Sequence, residues 1–308
     1  MLAAYGTEQN IPYPLLSDVD SAVIKRFGIL NDTVQPGDAM LYGIPYPGSY
    51  VCDGDGVVIA KFFHDTYKKR DSPELLLDAA LGRVQLDPDL PGDRRADPEV
   101  AVTATVHGGR GTLRQGIVRH LVLRFELADS LHVYGAPAPD GMVPLTIELS
   151  GPPGLVFEDV RLPPTKPLLL EGMNLTLQVW SGTFDASVPF YATGELASET
   201  RPLETPAAAI DIQVRFQACD DNTCLLPRTE SFELTLPLDV VDVPNLGVHT
   251  GHGQREGTFD ASPHFRRLLR RKILRHPLGF LRFLVKNRRL LRDAQARQTA
   301  THPGETPP

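Results

Sequence analysis

The sequence predicts a mixed fold: an α/β region, then an all-β sandwich, then a basic helical segment. Three observations carry that reading. Residues 1–85 mix runs of helical period with runs of period two. From 99 to 243 apolar residues recur at every second position, in short runs separated by glycine and proline turns. Residues 264–292 hold eleven Lys and Arg and no Asp or Glu.

At 308 residues, 42% hydrophobic and 22% charged, the chain has the composition of a globular protein and the length of two domains. Removing the basic segment from the overall charge of −7 leaves an acidic body of about −18. Three cysteines are too few for a disulfide-built scaffold. No apolar run approaches the roughly 18 residues that span a bilayer, and Met1-Leu2-Ala3-Ala4-Tyr5 has no basic n-region with an apolar h-region. The expectation is a cytoplasmic protein as written, and a periplasmic one if the native N-terminus is longer and carries a signal.

Within 1–85, Leu2 to Gln9 predicts the end of a helix and Ile11 to Leu16 a short extended segment. Ser17 or Asp18 caps a helix on which Val19, Val23 and Phe27 recur, with Ile24 beside them and Gly28 as its stop. Tyr50-Val51-Cys52 and Val57 to Phe63 flank Asp53-Gly54-Asp55-Gly56, a tight hairpin turn. Cys52 is expected to be a buried, inert strand cysteine. Ser72-Pro73-Glu74 starts a last helix that ends at Gly82.

The ordered set Leu15-Leu16-Ser17-Asp18, Phe27-Gly28-Ile29, Gly43 to Val51 and Asp53 to Gly56 resembles the C-terminal half of a redoxin domain. This is the alkyl hydroperoxide reductase/thiol-specific antioxidant branch of the thioredoxin-like fold. The resemblance implies an incomplete thioredoxin-like domain, with Pro47 at the position where relatives carry a cis-proline beside the redox site. That family's reactive cysteine lies in the N-terminal half, which these residues do not match, and Cys52 is no replacement for it.

Residues 86–98, rich in Asp, Pro and Gly, predict a linker. Beyond it Val100 to Val106, Leu121 to Phe125, Leu145 to Leu149 and Leu175 to Val179 alternate. Short strands at that spacing predict a β-sandwich of immunoglobulin-like size. Its last hairpin is the most informative stretch. Ile210, Ile212, Val214 and Phe216 form one alternating run, Phe232, Leu234, Leu236 and Leu238 another, and Cys219 and Cys224 stand at the neck between them. Opposed antiparallel residues lie close enough for a disulfide. Chain entropy makes so small a loop worth only about 2 kcal/mol, so a stapling bridge, two reduced thiols and an exchanging pair all remain open.

Leu131-His132-Val133-Tyr134-Gly135, Pro144 to Glu148, and Phe216-Gln217-Ala218-Cys219 to Cys224-Leu225-Leu226-Pro227 resemble the N-terminal domain of the DsbD thiol:disulfide interchange family. The resemblance implies that Cys219 and Cys224 cycle between disulfide and dithiol with a thiol or disulfide protein partner. It also implies that Pro227 neighbours the redox site and that an aromatic residue, for which Phe184 is the candidate, caps the bridge. Asp220 and Asp221 are expected to disfavour thiolate beside them.

Residues 244–263 read as a glycine-rich linker. His249 and His252 in it have no third ligand to make a metal site, and no cofactor is called for. Across 264–295, Phe265, Leu268, Leu269 and Ile273, then Phe280, Leu281, Leu284 and Val285, form apolar faces among arginines, interrupted by Pro277. Such helices suit either an anionic membrane surface or docking on the acidic body. Without aromatic stacking residues, no specific nucleic-acid partner is predicted. Residues 296–308 read as a disordered tail. The whole reads as a thiol–disulfide redox protein of peroxiredoxin-like class; the rival is a binding module with a structural bridge and a basic anchor.

Overall fold

Val100, Val102, Ala104 and Val106, apolar at every second position, build a strand with one face wholly withdrawn from water. Around it the computed structural model arranges a strand-rich α/β chain with few helices. It describes residues 2–35, 42–64, 66, 68–170, 175–220, 223–240, 260, 262–275, 277–279, 281, 282, 285, 288, 289 and 292. The linker residues 241–259, which include His249 and His252, and the tail 293–308 lie outside that set.

The N-terminal part contains α1 (Leu2–Glu8), α2 (Ala22–Arg26), β1 (Gly48–Cys52), β2 (Val58–Phe63), β3 (Arg70–Asp71) and α3 (Pro73–Leu81). β1 and β2 form a two-stranded antiparallel sheet. The Asp53 carboxylate closes their turn, accepting from the N–H groups of Asp55 (3.0 Å) and Val57 (2.9 Å). α3 runs as expected from Pro73 to a left-handed Gly82. α2 is shorter than the periodicity predicts: Asp18 does reach the Ile24 N–H at 2.8 Å, but Ser21 adopts φ 54° and the helix starts only at Ala22. Val19 is thereby left outside it and exposed. Residues 11–16 form no strand. Cys52, expected to be buried, is exposed, because a two-stranded sheet leaves the end of β1 without a covering neighbour.

The β-region follows in order: β4 (Gly92–Ala96), β5 (Val100–His107), β6 (Ile117–Leu127), β7 (His132–Tyr134), β8 (Thr146–Ser150), β9 (Leu155–Phe157), β10 (Lys166–Leu170), β11 (Leu175–Ser181), β12 (Thr183–Ala192), the short α4 (Gly194–Ala197), β13 (Ala207–Phe216), β14 (Ala218–Cys219) and β15 (Arg228–Pro237). One sheet has the order β4-β5-β6-β12-β9, a second β15-β13-β8, and a third β10-β11-β7-β14. Val102, Leu123, Phe125 and Val188 of the first sheet share a single core with Ile210, Ile212, Val214 and Phe232 of the second. β4 corrects the expectation of a linker over 86–98. Its Asp93, Arg94 and Arg95 pair with β5 as a charged edge strand, the composition that keeps a sheet edge from recruiting other chains.

The N-terminal part meets this core directly. β3 pairs in parallel with the start of β6, Arg70 opposite Ile117. Gly116 is needed at that approach, since a Cβ there would lie 1.8 Å from the Lys68 carbonyl oxygen. The Glu74 carboxylate of α3 accepts from the Gly109 N–H at 3.0 Å, and Asp78 meets Nε2 of the buried His107 at 2.6 Å. Arg119, also buried, donates to the Ile117 carbonyl. Burial lowers its pKa to about 10, against the favourable charge of Glu74. At the other end α5 (Ser262–Arg275) packs on the body through Leu268 and Lys272.

Candidate functional site

The hairpin of β13 and β15 changes sheets at its tip. Phe216 still pairs with Arg228 in the second sheet, but two residues on, Ala218 and Cys219 pair with Val133 and His132 of β7 in the third. Cys219 and Cys224 then face each other as an isolated antiparallel bridge, Cα atoms 4.1 Å apart, joined as a disulfide. The Asp220 N–H donates to the Thr223 carbonyl at 2.9 Å, while the Asp220 carboxylate accepts from the Thr223 N–H, closing the small loop. Asp221 lies outside the described residues.

The two sulfur-bearing residues differ in access. Cys219 is 0% exposed and packs with Tyr134, Leu177 and Val179. Cys224 is exposed. Tyr134 Oη lies 3.4 Å from Cys224 Sγ, and the Tyr134 ring meets His132 edge-on with centroids 5.4 Å apart. Burial pushes the Tyr134 phenol above its usual range. Its hydroxyl therefore keeps its proton and can donate to a thiolate at Cys224.

Gln217 ties the surrounding loops to the bridge. Its Oε1 accepts from the Val143 N–H and its Nε2 donates to the Leu225 carbonyl, both at 3.0 Å. The first bond holds down the loop after β7, whose Ala138 and Met142 pack against the group around Cys219. Tyr134, His132 and Gln217 are not singled out as site residues by the sequence. All three lie in stretches that carry the family resemblance, but only the register of β7 against β14 brings them to the sulfurs.

Other sequence candidates are distributed differently. Phe184 lies on β12 in the core, its ring stacked on Phe125 at 4.6 Å and beside Trp180 at 5.5 Å; the apolar residues grouped with Cys219 are other ones. Pro227 is exposed between Leu226 and Arg228 at the outer end of the cysteine loop. Pro47 precedes β1 in the N-terminal sheet, and the cis X-Pro bond among the described residues is Ala136–Pro137 rather than Tyr46–Pro47.

Known proteins resemble the chain in two stretches. Residues 111–236 match the family described as thiol:disulfide interchange protein DsbD, N-terminal. That stretch contains the whole bridge and its surroundings. Residues 2–61 match the AhpC/TSA family, so both matches are to thiol-redox families. No curated protein sequence matches the chain. Among solved structures, the N-terminal periplasmic domain of ScsB from Proteus mirabilis is 15% identical with a TM-score of 0.31, over 50% of this chain and 50% of that one. The chain thus spans half the length of that relative. The reduced DsbD N-terminal domain of Neisseria meningitidis is 15% identical with a TM-score of 0.26, over 49% of this chain and 90% of that one. The complex between the DsbD and PilB N-terminal domains of the same organism gives 13%, 0.24, 48% and 85%.

Proposed function

We propose that the chain is a thiol–disulfide exchange protein whose Cys219–Cys224 pair takes two electrons from one thiol protein and passes them to another. In this reading residues 99–243 are an immunoglobulin-like sandwich of DsbD type and residues 1–85 part of a redoxin-type, thioredoxin-like domain. The observation that carries it is the asymmetry of the bridge, with Cys224 exposed and Cys219 buried. An incoming thiolate attacks Cys224 Sγ, the Sγ–Sγ bond breaks, and Cys219 departs with the electron pair and takes up a proton. The partner's second thiol then attacks the mixed disulfide and frees Cys224 as thiolate, to which the Tyr134 hydroxyl donates a hydrogen bond while solvent supplies the proton. The balance is one partner disulfide formed for one dithiol gained here. Leu226, 87% exposed two residues past Cys224, supplies apolar surface for the partner beside the reacting sulfur.

Titration in glutathione buffers, read by thiol alkylation and mass spectrometry with Cys52 as internal control, tests the reading. A midpoint between about −180 and −270 mV is expected, the range of catalytic dithiols. Cys219→Ser is expected to trap a partner as a lasting mixed disulfide through Cys224, and Cys224→Ser to trap far less. A pair that stays oxidised through strongly reducing buffer sinks the exchange role and leaves a structural staple.

A further inference from the structure

Among the described residues of the basic segment, one side is spent on the body and another is exposed. Leu268 is 1% exposed. Beside it Lys272 Nζ forms a buried ion pair with Glu199 at 2.8 Å. Arg267 donates to the Arg201 carbonyl at 2.8 Å, and Arg271 meets Glu204 at 3.2 Å. These contacts settle which face of α5 looks inward. Leu274, Leu278, Leu281 and Val285 are instead 73%, 69%, 59% and 59% exposed. Their spacing of four, three and four is that of a single helix side, and helical backbone recurs at 277–279, 281, 282 and 285. Arg270, Arg282, Arg288, Arg289 and Arg292 are exposed along the same stretch, and no carboxylate occurs from 264 to 292.

We infer that this stripe adsorbs on an anionic lipid surface, seating the aliphatic side chains among the acyl chains and the arginines at the headgroups. Four exposed aliphatics in a row need an apolar counterpart, which a nucleic acid does not offer. A second copy of the stripe would bring cations against cations. A bilayer with acidic headgroups supplies both the hydrocarbon and the opposite charge. Among the described residues no helix is long and apolar enough to cross a membrane, which is consistent with binding in the interfacial plane. The acidic groups Glu199 and Glu204 are engaged on the inward side, so the outward cations keep their charge for the lipid. The inference is independent of the redox role of the cysteines.

Flotation of the full chain with phosphatidylcholine vesicles, with and without about one-third phosphatidylglycerol, tests it. Partitioning is expected to be at least about tenfold stronger on the anionic vesicles and to weaken as salt shortens the electrostatic range. Leu278→Ser/Leu281→Ser/Val285→Ser replaces only exposed side chains. It is expected to lower anionic partitioning at least about tenfold while leaving the melting temperature unchanged. Equal partitioning on the two vesicle types, or a triple-serine chain that floats like the parent, overturns the inference. So does a concentration-dependent dimer that the same three changes abolish, since a second copy would then be the occupant.

Discussion

Val23 and Phe27 in the N-terminal part stand open to solvent, while Val102 and Phe125, residues of the same kinds, are completely covered in the β-region. Leu75 of α3 is the one large apolar side chain of the first 85 residues that is buried among those described. Both parts have the right periodicity. What differs is whether a second layer lies opposite: the β5-β6-β12 face meets the β13-β15 face, whereas the β1–β2 sheet has no described sheet across from it. Periodic sequence creates an apolar face, but only a facing layer turns that face into a core.

The sharpest way to break this contrast is a matched pair of truncations. Phe125→Ala is expected to cost about 3–5 kcal/mol in urea denaturation and Phe27→Ala less than about 1 kcal/mol; equal losses would mean that the first 85 residues are as well packed as the rest. Next in size is a pH effect at the seam between the two parts. Burial first, then the charges of Arg161 and His107, lowers the His120 pKa from 6.5 to about 4. The folded chain thus holds a neutral imidazole while the unfolded chain protonates, so stability falls as pH drops from 6.5 toward 4. The loss approaches about 3 kcal/mol at the acid end, and His120→Gln is expected to flatten that slope in melts recorded across the window.

Reducing the Cys219–Cys224 bridge comes third, at about 2 kcal/mol of chain entropy. It is read as a lower urea midpoint with reductant in the parent and no such shift in Cys219→Ser/Cys224→Ser. Smallest is Leu16→Ser or Val19→Ser, whose parent side chains are exposed. Each is expected to move stability by no more than about 0.5 kcal/mol, and a larger loss in thermal melts would reveal a covering layer in solution.

Alternation makes β5, β6, β11, β13 and β15 legible from residue order alone, because period two leaves one choice of inward face. Capping chemistry likewise locates α3 between Pro73 and Gly82. The misplaced elements share a physical cause. Local pattern gives Cys52 its expected burial, yet burial depends on which strands lie alongside and opposite, and that is set at long range. β4 is hidden because a charged edge strand has a linker's composition. At the bridge, the cysteines are readable from spacing and resemblance. Their unequal exposure and the hydroxyl of Tyr134 are not, since both follow from the hairpin's crossing into the sheet of β7.

The pairing of β3 with β6 also bears on how the chain comes apart. The sequence reads as modules joined near residue 90, but the seam in space lies elsewhere: β3 and α3 precede that point and are built against the β-region. A protease cutting between 84 and 92 would therefore release no self-sufficient sandwich. If the N-terminal fragment departed, it would carry away the carboxylates of Glu74 and Asp78 and uncover Arg119 and His107. Nicking and dissociation are thus separate events, and the cut chain is expected to migrate as one particle until denatured.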